Sequence, residues 1–173
     1  MMVTRLVLAH RVRAQVDAEI LAHPEVETGG LLPARVIGDA MVVPFTIAAG
    51  PKARRARARF SPDTEWQQQL LDEAFANFTC VFGGAWHRHP GTFDVPSSVD
   101  HKTARHIVTD AEWDTKQAVF PIAVVRGGKV CLRAFLMHRD APTFIEVPIE
   151  VVPNHDPLVL EVLGGAAWVK QEV

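Results

Sequence analysis

Residues 83–100 read GGAWHRHPGTFDVPSSVD, and the folding of this stretch decides the architecture around it. An apolar run ends in two histidines one residue apart, a proline stops it, and Ser97-x-x-Asp100 follows. Read as a strand, GGAWHRH puts alternate side chains on one face, their Cβ atoms about 6–7 Å apart at a rise of ~3.3 Å per residue. His87 and His89 then face one way and Arg88 the other. Pro90 ends the strand, residues 91–96 turn, and Ser97 and Asp100 occupy the first turn of a helix. A serine three residues before an acid is also a capping box, in which each side chain satisfies the other residue's backbone amide. The two readings are compatible. Two imidazoles and a carboxylate supply three N/O ligands and leave a fourth position open, the pattern of a catalytic zinc site rather than a structural one.

Outward from this stretch the chain alternates strands and helices. VTRLVLA (3–9) is a strand that runs into a helix with Val12, Val16 and Ile20 on its apolar face, broken at His23-Pro24-Glu25. GGLLPARVI and AMVVPFTIA read as strands joined around Gly38-Asp39, with Pro33 and Pro44 marking edges or bulges. GPKARRARARF (50–60) is a basic extended segment leading to a helix start, with Ser61 as cap, Pro62 at the first helical position and Asp63 in the first turn. The helix presents Trp66, Leu70, Leu71, Ala74, Phe75 and Phe78 to the core. Beyond the opening stretch, a helix places Ala104, Ile107, Val108 and Ala111 inward. QAVFPIAVV and KVCLRAFLM form a hairpin about Gly127-Gly128. PTFIEVPIEVV is a strand with Ile145, Val147, Ile149 and Val151 on one face. The sum is an α/β protein: a mixed sheet against about three helices, with one domain over residues 1–152. Residues 153–173 form a C-terminal tail that docks as a short helix or contacts a partner.

Composition narrows the function classes. The 173 residues suffice for one buried core, and 48% hydrophobic with 22% charged residues is a globular rather than a disordered balance. A formal net charge of −2 gives no general attraction to nucleic acid or anionic membrane. Cys80 and Cys131 lie far apart with no CxxC pair, which argues against a disulfide framework and for a reducing compartment. The N-terminus meets a charge too early for a signal peptide, and no apolar stretch approaches the ~18 residues of a membrane span. Cytoplasmic localisation is the expectation.

A zinc hydrolase needs a base for its water and a donor for the developing oxyanion. In HPEVETGGLL, Glu27 stands at the mouth of an apolar strand, and Gly29-Gly30 permits close backbone approach. A glutamate leading a buried strand needs a polar partner to offset its desolvation, and an activated water is one. A solvated turn is the plain alternative, and Glu25 is the nearest competitor for the role.

Glu27-Thr-Gly-Gly-Leu-Leu, then His87-x-His89-Pro and Ser97-x-x-Asp100, resembles the JAMM motif of the JAB/MPN metalloproteases. The order of elements over roughly residues 3–150 is similar to the MPN (cytidine-deaminase-like) fold. The resemblance implies His87, His89 and Asp100 as Zn2+ ligands, Glu27 as general acid/base and Ser97 as oxyanion stabiliser. It further implies hydrolysis after the C-terminal glycines of a ubiquitin-like protein or its conjugates, alongside bacterial E1-like and E2-like proteins, in some systems as antiphage defence. An extended Gly-rich tail would pair with a strand edge beside Glu27, and GTFDV (91–95) would wall the groove. The chain departs from the family pattern at Pro33, where a second glycine often follows the Leu-Leu pair soon after, and at Arg88, where a small hydroxylic residue is common. Two other functions fit the same residues: a non-catalytic MPN scaffold, and a zinc amidase acting on small peptides or a sulfur-carrier tail. The basic run Lys52, Arg54, Arg55, Arg57 and Arg59 lacks the interleaved aromatics of nucleic-acid readers. It is either a solvated face or a docking surface for an acidic partner. Trp66, Trp86 and Trp113 are expected in the core.

Overall fold

The computed structural model describes residues 1–164, which alternate strands with four α-helices. In chain order these are β1 (Arg5–Ala9), α1 (His10–Ala22), β2 (Gly29–Ile37), β3 (Ala40–Val43), β4 (Arg54–Ala56), β5 (Arg59–Ser61), α2 (Thr64–Phe78) and β6 (Val81–Arg88). Then come α3 (Ser98–Thr109), a single 3-10 turn (Ala111–Trp113), β7 (Gln117–Arg126), β8 (Lys129–His138), β9 (Ile145–Val147), β10 (Ile149–Val152) and α4 (Pro157–Leu163). Eight strands form one mixed sheet in the order β10-β1-β3-β2-β6-β7-β8-β9, and β4 and β5 form a separate hairpin.

The sheet is not flat. Only Pro148 separates β9 from β10, yet they pair with β8 and β1 at opposite ends of the order. The sheet must therefore curl until its edges approach one another at that proline. Proline has no N–H to continue a ladder, so the expected single strand PTFIEVPIEVV divides there. Its expected common face is lost: Val147 is buried while Ile145 and Val151 are exposed.

Other boundaries moved for equally local reasons. Residues 50–60 do not stay extended but turn back as the β4–β5 hairpin, with Arg55 opposite Phe60. That makes Ser61 the last residue of β5, and Asp63, not Ser61, caps α2 by accepting from the Trp66 N–H. Phe75 is exposed on α2, and the buried positions are Ala74 and Gln67, whose amide donates to Ala48 O at 2.9 Å. α3 ends at Thr109, so Ala111 falls in the 3-10 turn and is exposed rather than inward. Trp86 is core, Trp66 half-buried, and Trp113 exposed with its ring edge-on to Phe82. Pro33 sits in a central strand and is accommodated by a bulge between Leu31 and Pro33. Gly127 and Gly128 both take positive φ, 56° and 74°, as a tight two-residue hairpin demands.

The tail contributes to the core as far as it is described. Asp156 caps α4, and Val159, Val162 and Leu163 are buried in the cluster formed by β1, β3 and α1. Residues 165–173 lie outside the described residues. No helix among the described residues is long and apolar enough to cross a membrane.

What this arrangement positions is the carboxyl end of β6. That strand is paired on both sides, antiparallel to β2 and parallel to β7, and α3 makes the crossover between β6 and β7. In open α/β sheets ligand sites form where such strand ends meet a helix N-terminus.

Candidate metal centre

His87 is the penultimate residue of β6, opposite Gly29 of β2. His89 extends the strand direction by donating its backbone N–H to Ala123 O at 2.9 Å. The two imidazoles share a face, as strand alternation requires, and their Nε2 atoms are 2.8 Å apart. Arg88 points the opposite way. It is buried, and its guanidinium donates to Ile20 O (3.3 Å) and His23 O (2.8 Å) at the C-terminus of α1, where a cation is favoured by unpaired carbonyls and the helix dipole.

Asp100 arrives from α3. Ser97 caps that helix, and the capping box is complete: Ser97 N–H donates to Asp100 Oδ2 at 2.6 Å, and Asp100 N–H donates to Ser97 Oγ at 3.2 Å. The same carboxylate reaches both imidazoles, Oδ1 to His87 Nε2 at 3.2 Å and Oδ2 to His89 Nε2 at 3.4 Å. Burial works against the charged carboxylate, but bonds to His87 and His89, the charge of His87, and the Ser97 contact outweigh it and hold Asp100 far below the usual carboxylate range. For His89 burial also opposes the charged form, yet the Asp100 and Phe93 hydrogen bonds and the nearby charges of Asp100 and Glu27 raise its affinity for a proton.

Among the described residues, His87, His89 and Asp100 form the cluster of donor atoms able to hold a metal ion. The fit is chemical as well as geometric. The 2.8 Å between the two imidazole nitrogens and the 3.2 Å from His87 Nε2 to Asp100 Oδ1 approach the ~3.3 Å edge of a tetrahedron with bonds of ~2.0–2.1 Å. His89 Nδ1 lies 2.8 Å from Phe93 O; a ring N–H donated there leaves Nε2 with its lone pair facing the cluster. Asp100 Oδ2 is committed to the Ser97 amide, which leaves Oδ1 for a cation. Two nitrogens with two oxygens nearby, and no cysteine, suit zinc and other borderline divalent ions alike.

Glu27 lines the same cleft as the cluster, together with Ser97, Trp86, Phe60, Ile107 and Phe120, in a volume of about 420 Å³. Its position is fixed through its backbone, whose N–H donates to Ala56 O of β4 at 2.9 Å. Glu25 is exposed, at a left-handed turn position with φ 64°, and does not line the cleft. The adjacent Gly29 cannot carry a side chain, since a Cβ there would lie 2.4 Å from Trp86 O and 3.0 Å from the Phe60 ring.

Two supporting groups had no signal in the sequence alone. The segment GTFDV braces His89 instead of walling the cleft. The Phe93 ring stacks on the imidazole at 5.9 Å, and Asp94 is gripped by Arg126 and Arg133, each at 3.0 Å. Arg55, one member of the basic run, is a structural residue: it donates to Glu19 Oε1 (2.7 and 3.1 Å) and to Thr28 Oγ1 (2.9 Å), tying β4 to α1 and to the entry of β2. Apart from the Phe93 contact, both sets join residues 27 or more apart, which no local spacing reveals. Cys80 and Cys131 are free thiols.

No family model matches the chain. A protein of Sinorhizobium fredii (strain NBRC 101917 / NGR234), named "Probable metalloprotease y4qB", is 34% identical over 93 residues, which are 51% of this chain and 56% of that protein. The chain thus spans little more than half the length of this curated relative. Among solved structures, the solution structure of protein DSY2949 from Desulfitobacterium hafniense is similar in fold, with TM-score 0.61 at 24% identity over 86% of this chain and 93% of that one.

Proposed function

We propose that the chain is a zinc-dependent peptidase of the JAMM type on an MPN-like fold. Its reaction is hydrolysis of the amide bond after the C-terminal glycine of a ubiquitin-like protein, in maturation or deconjugation, beside E1-like and E2-like partners. The observation that carries the metallopeptidase reading is the convergence of His87, His89 and Asp100, from a strand end and a helix start, in the cleft that Glu27 lines. The partial relative named a probable metalloprotease supports the same coarse chemistry. The ubiquitin-like substrate rests on the sequence motif.

A zinc ion held by these three residues supplies Lewis acidity and lowers the pKa of a water toward ~7. The rest is the work of the chain. Glu27 takes the proton of the attacking water and returns it to the amide nitrogen as the C–N bond breaks. Ser97 Oγ accepts from the Asp100 amide, so its own O–H remains free to donate to the carbonyl oxygen as charge develops there. Trp86, Phe60, Ile107 and Phe120 give the cleft apolar walls that limit competing water. Among the described residues β5 pairs with β4 alone, so its other edge can take an extended chain by main-chain hydrogen bonds.

The test uses zinc-loaded protein and a fusion in which a linker follows a ubiquitin-like Gly-Gly. Wild type should cleave at that junction, chelation should abolish cleavage, and Glu27→Ala should slow it by about 10²–10⁴-fold, the range for loss of a general base. Stoichiometric zinc with tight binding of the fusion but no cleavage would replace the enzyme with a scaffold. Cleavage that survives chelation would remove metal from the mechanism.

A further inference from the structure

The basic run divides cleanly in the structure. Arg55 faces inward and is consumed by Glu19 and Thr28. Arg54, Arg57 and Arg59 are exposed, and among the described residues no acidic group pairs with any of them. Elsewhere Arg5 pairs with Asp39 and Glu150, Arg13 with Asp17, and Arg126 and Arg133 with Asp94. Like charges on adjacent short strands repel, and no acid occurs between Pro51 and Pro62 to relieve them.

Their placement ties them to the cleft. Cross-strand partners share a face: Arg55 and Phe60 point inward, while Arg54, Ala56, Arg59 and Ser61 lie on the exposed outer face. A depression of about 220 Å³ is lined by Arg54, Ala56, Arg59 and Ser61 of that face together with Arg55. The alternate residues Ala58, Phe60 and Pro62 line the metal cleft. A chain laid along the open edge of β5 therefore sends one set of side chains toward the cleft and the alternate set toward Arg54 and Arg59, by the two-residue period of a strand.

We propose that the β4–β5 hairpin recognises carboxylates at alternate positions of the extended substrate segment, so that this enzyme selects acidic sequence next to the bond it cuts. The inference rests on the reading that the cleft takes an extended peptide. Guanidinium–carboxylate pairing is charge-assisted and can be bidentate, and an outer face without aromatic rings offers no stacking platform for bases.

Two fluorescein-labelled peptides ending in the same Gly-Gly junction serve as probes, one with Glu at alternate positions before the glycines and one with Gln there. Binding is read by fluorescence anisotropy on zinc-loaded Glu27→Gln protein, and cleavage is read separately on the wild type. The Glu peptide should bind about tenfold tighter at low salt, as expected for two or three exposed pairs. The preference should shrink as salt is raised toward ~0.3 M. Arg54→Gln/Arg59→Gln should reduce it to about twofold or less. Lys116→Gln/Lys129→Gln, which removes equal charge elsewhere, should leave it intact. Equal binding of the two peptides, no binding of either, or a preference surviving in the arginine double variant would overturn the proposal. So would displacement of the Glu peptide by a single-stranded oligonucleotide that binds the hairpin more tightly. A selective Glu-peptide complex that is never cleaved would sink the hydrolase and keep the surface; cleavage of both peptides at equal rate and affinity would do the reverse.

Discussion

Asp94→Ala should weaken metal binding far more than it weakens the fold. Asp94 touches none of the three candidate ligands. Its carboxylate is held by Arg126 of β7 and Arg133 of β8, each at 3.0 Å, and Arg133 is fixed in turn by Glu146 of β9 at 2.7 and 2.9 Å. This clamp ties down the turn between Pro90 and Ser97, and the turn carries the Phe93 carbonyl that His89 Nδ1 meets at 2.8 Å. Without the clamp the turn keeps the longer 3.4 Å bond from Arg126 to Thr92 O but loses its paired grip, and the His89 ring loses the fixed carbonyl that sets its orientation and tautomer.

Two magnitudes separate the effects. The side chains of Arg126 and Arg133 are 47% and 36% exposed, so their pairs with Asp94 are screened by solvent, and losing them should move Tm by only about 2–4 °C. Loss of a partner that orients a metal-binding histidine typically costs 10–100-fold in metal affinity, or about 1.4–2.7 kcal/mol. The assay is zinc affinity by competition with a chromophoric chelator, alongside a thermal melt of the metal-free protein. Wild-type zinc affinity in Asp94→Ala would refute the reasoning, and so would a fall in Tm of ten degrees or more, which would make Asp94 a residue of the fold.

Asp100→Glu separates capping from ligation, because glutamate is a normal partner in a capping box but carries its carboxylate one methylene farther out. The metal-free variant should melt within a few degrees of wild type while zinc affinity falls at least about tenfold, and retained affinity would mean that Asp100 only caps α3. Burial pushes the Cys80 thiol up from 9.0 to about 11, so it contributes about 3 kcal/mol that is whole below the ordinary value and lost as pH rises toward the folded one. The chain has no tyrosine to confuse that titration, and denaturant midpoints between pH 8 and 11 should fall more steeply for wild type than for Cys80→Ala. Gly84→Ala should fail to fold, since a Cβ at that position, with φ 152°, would lie 1.7 Å from Val119 O of the neighbouring strand. A soluble, cooperatively melting variant would show that β6 and β7 are not paired as described.

Strand identity was legible wherever one period ran uninterrupted. β2 spans the nine residues of GGLLPARVI, and the Gly127-Gly128 turn joins β7 and β8 as expected. The errors cluster where a residue answers to distant partners. Pro148 sits in a run whose alternation looks continuous, and only the curl of the whole sheet assigns its two halves to different edges. Ser61 has the chemistry of a cap, but hairpin pairing with Arg54 claims it first, and Asp63 takes over. At the candidate site, His87, His89, Ser97 and Asp100 could be placed from strand period and capping chemistry. Phe93, Asp94, Arg126 and Arg133 could not, because a backbone carbonyl carries no sequence signature and the ion pairs join distant segments.

Capping and metal ligation both draw on the Asp100 carboxylate. The geometry makes them consecutive steps of one construction. Asp100 has two oxygens; the cap takes Oδ2 through the Ser97 amide, and that bond turns Oδ1 toward His87. A solvated aspartate would lose side-chain entropy on joining a cation, whereas this one is already fixed by folding of the helix start. His89 is fixed by a carbonyl in the loop leading into that helix, and His87 by a strand paired on both sides. The order needed for ligation thus comes from interactions formed as the backbone folds, which is the condition for a site to be preorganised before its ion arrives. It also explains why changes to the loop and to the cap should register in metal affinity before they register in stability.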